Sequence, residues 1–271
     1  LGAHADEIYH LADDDLYLRA GSAGGRARQH GMEQLPFWQK VLAHPAYDSF
    51  WQDQAVEKPL AKEPLKVPVM LVHSLWDQED IYGAIAVYKA IKPKDTTGTM
   101  VKLVMGPWHH GQEIEDASAL GAIKFGSDTG KYFREHVLRP YLAQYLKNDA
   151  PKADVAPVTA FQTGTNRWEN LNRWPAGCNS GCSIKPTPLY LGDGMKATFS
   201  KPEDSSGDSY ISDPAHPVPY RARPIQPVAY GEHDTWAQWL VDDQREASSR
   251  TDVLTYTSDV LTAPVTIRSE E

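Results

Sequence analysis

Hydrophobic and polar positions follow clear periods along this chain, and the period changes as the chain proceeds. In "GMEQLPFWQKVLAHPAYDSFWQDQAV", Leu35, Trp38, Val41, Leu42, Tyr47 and Phe50 recur at helical spacing, broken near Pro45. Residues 1–60 as a whole read as helices and loops, with "AGSAGGRARQHG" as a turn-rich link. "EPLKVPVMLVHSLWD" reads as a buried strand entered through prolines. "IYGAIAVYKAIKP" predicts a helix with Ile81, Ala84, Ile85 and Tyr88 on one face, stopped by Pro93. "TMVKLVMGPWHHG" is a second buried strand, ended by Gly106-Pro107, and "DTGKYFREHVLRPYLAQYLKND" a long amphipathic helix through Phe133, Val137 and Tyr141. Strand, helix, strand, helix in this rhythm is α/β with parallel pairing.

After about residue 150 helical periodicity fades. "APKADVAPV" reads as a Pro/Ala linker, and "VTAFQTG", "TPLYLGDG", "SYISDP" and "DVLTYTS" read as short strands of an all-β unit of sandwich type.

Composition narrows the partners. The formal charge of −9, with only a thin basic cluster at Arg19, Arg26 and Arg28, argues against nucleic acid. No apolar run approaches the roughly 20 residues of a membrane helix, so no membrane partner is expected. Cys178 and Cys182 in "GCNSGC" lack the further ligands a zinc site needs, and admit either a short-loop disulfide or two free thiols. A disulfide would place the chain in the periplasm or outside the cell. The chain starts at Leu1 and ends on the strand-like "VLTYTSDVLTAPVTIRSEE", which reads as a piece cut at both ends.

The candidate chemistry gathers in "LVHSLWDQEDIYGA", where a buried strand delivers Asp77, Glu79 and Asp80 at its C-terminal edge. Open α/β sheets present catalytic groups at that edge. The next strand ends in His109 and His110, about thirty residues on. Asp after one strand and His after the next are the last two members of the order Ser…Asp…His. In that arrangement the imidazole takes the nucleophile's proton, and the acid behind it fixes the tautomer. Taken alone, the pattern is equally compatible with chance placement. A metal is the weaker alternative, because adjacent histidines diverge from one backbone and no metal-binding spacing is present. Glu79 and Asp80 also suit a helix N-terminus, where the dipole favours acids.

The stretches "LWDQEDIYGAI", "VMGPWHHGQ", "GMEQLPFWQKVLAHPAYDSFW" and "LKNDAPKADVAPVTAFQTGTNRWENLNRWP" together resemble the α-amino acid ester hydrolases of the S15 peptidase group. The resemblance runs over nearly the whole chain. It implies an α/β fold: a helical cap (1–60), the C-terminal part of an α/β-hydrolase domain (61–155) and the start of an incomplete jelly-roll β domain (156–271). It implies Asp77 as triad acid and His110, rather than His109, as triad base. Glu79 and Asp80 would hold the α-ammonium group of a small α-amino acyl ester or amide, with no cofactor and no metal. A homo-oligomer and a periplasmic or secreted location are compatible with the resemblance. An X-Pro dipeptidyl-peptidase of the same group, and a non-catalytic carbohydrate-binding β protein using Trp168, Trp174, Trp236 and Trp239, are the alternatives. No G-x-S-x-G occurs in the 271 residues, so the resemblance places the nucleophilic serine upstream of Leu1, and this chain alone is expected to be inactive.

Overall fold

The structure is a computed structural model and describes residues 19, 21–175, 186–203, 207–219, 221 and 235–268. The cysteines Cys178 and Cys182, and the first eighteen residues of the expected cap, lie outside the described residues.

Among the described residues, four short helices precede the sheet: α1 Ala23–Gln29, α2 Pro36–Ala43, α3 Ser49–Gln52 and α4 Glu57–Lys62. Ser22 caps α1 through its hydroxyl, and Asp48 caps α3. Helix α2 stops two residues before Pro45, where the missing N–H forbids continuation.

Strand β1 (Val69–Ser74), helix α5 (Gly83–Ile91) and strand β2 (Val101–Gly106) form a βαβ unit with β1 and β2 parallel and in register from Val69↔Val101 to Ser74↔Gly106. A small hairpin follows, β3 Ala119–Leu120 with β4 Ile123–Lys124. The long helix expected next is present in three consecutive stretches: α6 Thr129–Tyr132, a π-helical stretch Phe133–Leu138 and α7 Arg139–Leu146. Strands β5 (Val158–Gln162) and β6 (Arg167–Leu171) complete one sheet of order β1-β2-β5-β6, with β5 parallel to β2 and β6 antiparallel to β5.

The first strand expected in the separate β unit from residue 156 joins the α/β sheet instead. "VTAFQTG" belongs to the α/β sheet, because Leu103 N–H donates to Pro157 O and the Lys102 ammonium to Val155 O, fastening the supposed linker to β2. A smaller sheet follows, of order β7-β8-β9: β7 Tyr190–Gly192, β8 Lys196–Thr198 and β9 Thr257–Ser258. Two single-turn helices precede β9, α8 Trp236–Trp239 and α9 Arg245–Ser248. "SYISDP" carries no strand, and "DVLTYTS" only its last two residues.

Period-2 alternation builds the core on both sheet faces. Val101, Leu103 and Met105 of β2 pack with Ile85, Tyr88 and Ile91 of α5, together with Val158 and Leu171. Val104 turns the other way, to Trp108, Phe133 and Val137. Val101, Leu103 and Val104 are 0% exposed, and each such burial is worth about 1.5–3 kcal/mol. Thr129 locks the second face: its hydroxyl accepts from Trp108 Nε1 (2.8 Å) and donates to Ala117 O (2.8 Å). Thr129→Val keeps the volume but strands the indole N–H. It is expected to cost about 1–3 kcal/mol, read as a lower urea midpoint with unchanged slope.

Among the described residues no helix is long and apolar enough to cross a membrane.

Candidate functional site

Parallel pairing of β1 with β2 sets the site, because it brings two C-terminal strand ends to one edge. Past β1 the chain turns at Leu75 and Trp76, whose amides donate to Gly106 O and Trp108 O of the neighbouring strand end. The two post-strand loops are thereby tied together before any side chain contributes. Asp77 follows, buried at 7% exposure. Its Oδ1 accepts the backbone amides of Glu79 (3.0 Å) and Asp80 (2.9 Å), and its Oδ2 meets His110 Nδ1 at 3.0 Å. Oδ1 thus fixes the turn and Oδ2 orients the imidazole.

His110 sits after β2 on a loop shaped by several contacts. Gly111 adopts φ +80°, a left-handed conformation that glycine takes without strain. Gln112 is buried, accepting from His109 N (3.3 Å) and donating to Ala119 O (2.8 Å). His109 bonds His110 O through Nδ1 (2.9 Å) and stacks on Trp236, ring centroids 5.5 Å apart. From the long helix, Arg134 donates to Glu113 O and Glu115 O, both at 2.7 Å. The imidazole is half-exposed, and its Nε2 has no partner among the described residues.

The electrostatics agree with the geometry. The hydrogen bond to Asp77 holds His110 above the ordinary histidine range, with Glu79 and Asp80 adding to it. Burial raises the Asp77 carboxyl, but the Asp80 and Glu79 amides and His110 outweigh it, and its pKa is lowered. The sign for stability follows. A raised His110 stabilises the fold fully below the ordinary histidine value and loses that contribution as pH rises through its own pKa. The lowered Asp77 contributes above the ordinary carboxylate value and loses it in acid.

The structure brings together Asp77, His110 and Asp80, whose Oδ2 lies 3.4 Å from His110 Nδ1. All three line a cavity of about 400 Å³ with His73, Ser74 and Glu113. Glu79 is exposed on the turn and does not line it. His109 points away to Trp236, as divergence of adjacent side chains requires. Asp77, Asp80 and His110 offer ligand atoms within 4.8 Å of one another and could hold a cation, although the Asp77–His110 hydrogen bond already uses the facing lone pairs. Sequence reasoning passed over Glu113, whose Oε2 is buried without a hydrogen-bond partner among the described residues. It also passed over His73, Arg134 and the clamp by Trp236. His73 alone left a signal, as a polar residue inside an apolar strand. Of the tryptophans proposed for carbohydrate, Trp168 lies against Trp108, Phe161 and Tyr132, Trp236 is 6% exposed, and Trp174 and Trp239 are half-buried.

Comparison with known proteins points the same way. The profile of the X-Pro dipeptidyl-peptidase (S15) family matches residues 4–112. A cocaine esterase of Rhodococcus sp. (strain MB1 Bresler) is 27% identical over 266 residues, 92% of this chain and 42% of that protein. A solved α-amino acid ester hydrolase superposes with a TM-score of 0.82 at 48% identity, covering 90% of this chain and 40% of that one. An aminopeptidase from a marine-sediment Thaumarchaeota archaeon gives 0.79 at 48% identity, over 89% and 39%. The chain thus spans about two fifths of the length of these relatives.

Proposed function

We propose, from its likeness to the S15 hydrolases, that the chain carries the acid–base half of a serine hydrolase acting on α-amino acyl esters or amides. The observation that carries the reading is the 3.0 Å bond from Asp77 Oδ2 to His110 Nδ1 at the ends of adjacent parallel strands, with Nε2 left unpartnered. A serine hydroxyl presented to Nε2 would lose its proton to the imidazole as its oxygen attacks the acyl carbonyl. Asp77 would stabilise the imidazolium, which then protonates the departing alkoxide or amine. Water would cleave the acyl-enzyme by the same path in reverse.

The serine comes, in this reading, from outside the 271 residues, which hold no nucleophile elbow. Asp80, on the rim of the same cavity, supplies a carboxylate for the substrate's ammonium group, with Glu79 beside it on the turn. Residues up to about 60 would form the cap over this site, and β7-β8-β9 part of a jelly-roll β domain. A second reading, an X-Pro dipeptidyl-peptidase, draws support from the family's description and from an aminopeptidase as similar as the ester hydrolase. The carboxylates suit an N-terminal ammonium in either case.

Two measurements on the 271-residue chain test the proposal. The imidazole of His110, followed by NMR through a pH titration, is expected to hold its proton above the ordinary histidine range and to lose that advantage in Asp77→Asn. An unchanged titration in that variant would sink the pairing. The chain is also expected to give no turnover of phenylglycine methyl ester and no labelling by a fluorophosphonate. Inhibitor-sensitive hydrolysis would mean that a serine within these residues is the nucleophile.

A further inference from the structure

A second cavity, of about 500 Å³, lies between α5 and the sheet and shares His73 with the cavity of the acid–base pair. Its floor is a row across the strands. His73 of β1 pairs with Met105 of β2, Met105 with Ala160 of β5, and Ala160 with Glu169 of β6, so these four residues stand side by side. Leu75, Ile85, Phe161 and Trp174 make apolar walls. At the far end Glu169 is ion-paired with Arg268, which leaves no uncompensated charge there.

The near end is different. His73 is 6% exposed, yet its imidazole makes no hydrogen bond among the described residues. Neither ring nitrogen is among the atoms fully sealed from solvent without a partner, so each keeps some open surface, and the walls His73 lines are those of the two cavities. A polar ring held against apolar surroundings, with its nitrogens open only to this space, gains from a hydrogen-bonding partner placed there. Burial pushes its pKa down, with Asp77 partly offsetting, which favours the neutral ring that can both donate and accept.

We propose that this cavity is a binding site for a small uncharged molecule with an aromatic or branched aliphatic body and one hydroxyl group, an alcohol or a phenol, with the hydroxyl hydrogen-bonded to His73. The volume falls in the range of small-molecule sites, and a largely apolar lining with a few polar groups, here His73 buried at one end and Gln162 and Thr163 on the wall, is their usual chemistry. A charged ligand would meet no free countercharge there. The site stands whether or not Asp77 and His110 act in catalysis, since it needs only the sheet row and α5.

The test uses phenol, toluene and benzoate titrated into the purified chain, followed by the His73 imidazole resonances and by the melting temperature. Phenol is expected to saturate, to move the His73 signals and to raise the melting temperature. Toluene should bind about tenfold more weakly, the worth of one hydrogen bond to the imidazole, and benzoate should not compete. His73→Phe is expected to bring phenol down to the level of toluene. Ala160→Leu fills the middle of the row and should abolish the phenol response. If that variant does not fold, Thr163→Phe at the rim is the substitute. Absence of a saturable phenol shift at His73 overturns the proposal, as does undiminished phenol binding in a folded cavity-filling variant.

Discussion

Asp95→Ala is expected to destabilise the chain by about 3–5 kcal/mol, the range found when one partner of a buried ion pair is removed. The Asp95 side chain is 0% exposed and lies 2.9 Å from the Lys92 ammonium. Its two oxygens also accept the amides of Thr99 (3.1 Å), Met100 (3.2 Å) and Val101 (3.0 Å) and the Thr97 hydroxyl (3.1 Å). One carboxylate therefore organises the whole connection from α5 into β2. Alanine would leave three amides without an acceptor at the very start of a core strand. Asp95→Asn keeps one oxygen acceptor and should lose less. Chemical denaturation of the three proteins gives the ranking. The pH dependence has a definite sign, because these bonds hold the carboxyl well below the usual carboxylate range. The stabilisation is present in full above the unfolded value of about 3.9 and is lost only as pH falls through the much lower folded value. The gap between wild type and Asp95→Ala should therefore be constant near neutrality and narrow in strong acid. A gap that widened in acid would contradict this account.

Gly106→Ala is expected to cost about 3 kcal/mol or more, at the upper end of the overpacking range. A Cβ at this position would come within 2.4 Å of three ring carbons of Trp108. The indole cannot withdraw: it is fully buried, hydrogen-bonded to Thr129, and packed against Phe133 and Trp168 with centroids 5.2 and 6.0 Å away. Backbone must move instead, and that backbone leads directly to His110. The variant should lose stability and, in whatever folded population remains, shift the His110 titration toward the ordinary histidine value. Wild-type behaviour in both would mean that the ring has a second resting place.

What the sequence made legible follows from local physics. Apolar runs bounded by Pro and Gly marked β1 and β2 within a few residues, and their parallel pairing made it reasonable to set Asp77 beside His110. The linker-like "APKADVAPV" misled because proline and alanine dominate it, whereas a lysine bond from β2 and a backbone amide hold it against the sheet. Contacts of that kind depend on residues about fifty positions apart and leave no local period. The same holds for His73, whose isolation is visible only once the row across four strands is assembled. Arg134 reads as one more charge on an amphipathic helix until its guanidinium is seen to grip two carbonyls of the His110 loop.

The stack of His109 on Trp236 has a consequence for the order of events in the molecule's life. Trp236 belongs to a segment synthesised long after the strands that carry Asp77 and His110, and its neighbour Ala237 sits so close to Gly121 that an added Cβ there would lie 2.7 Å from its carbonyl oxygen. The histidine loop is therefore complete only when that late segment has docked. A nascent chain would hold Asp77 and His110 at the ends of their strands, yet lack the surface that steadies the loop after β2. Steadying of the His110 loop is in this way tied to residues made after both strands, and a lesion far downstream can reach the imidazole without altering any residue beside it.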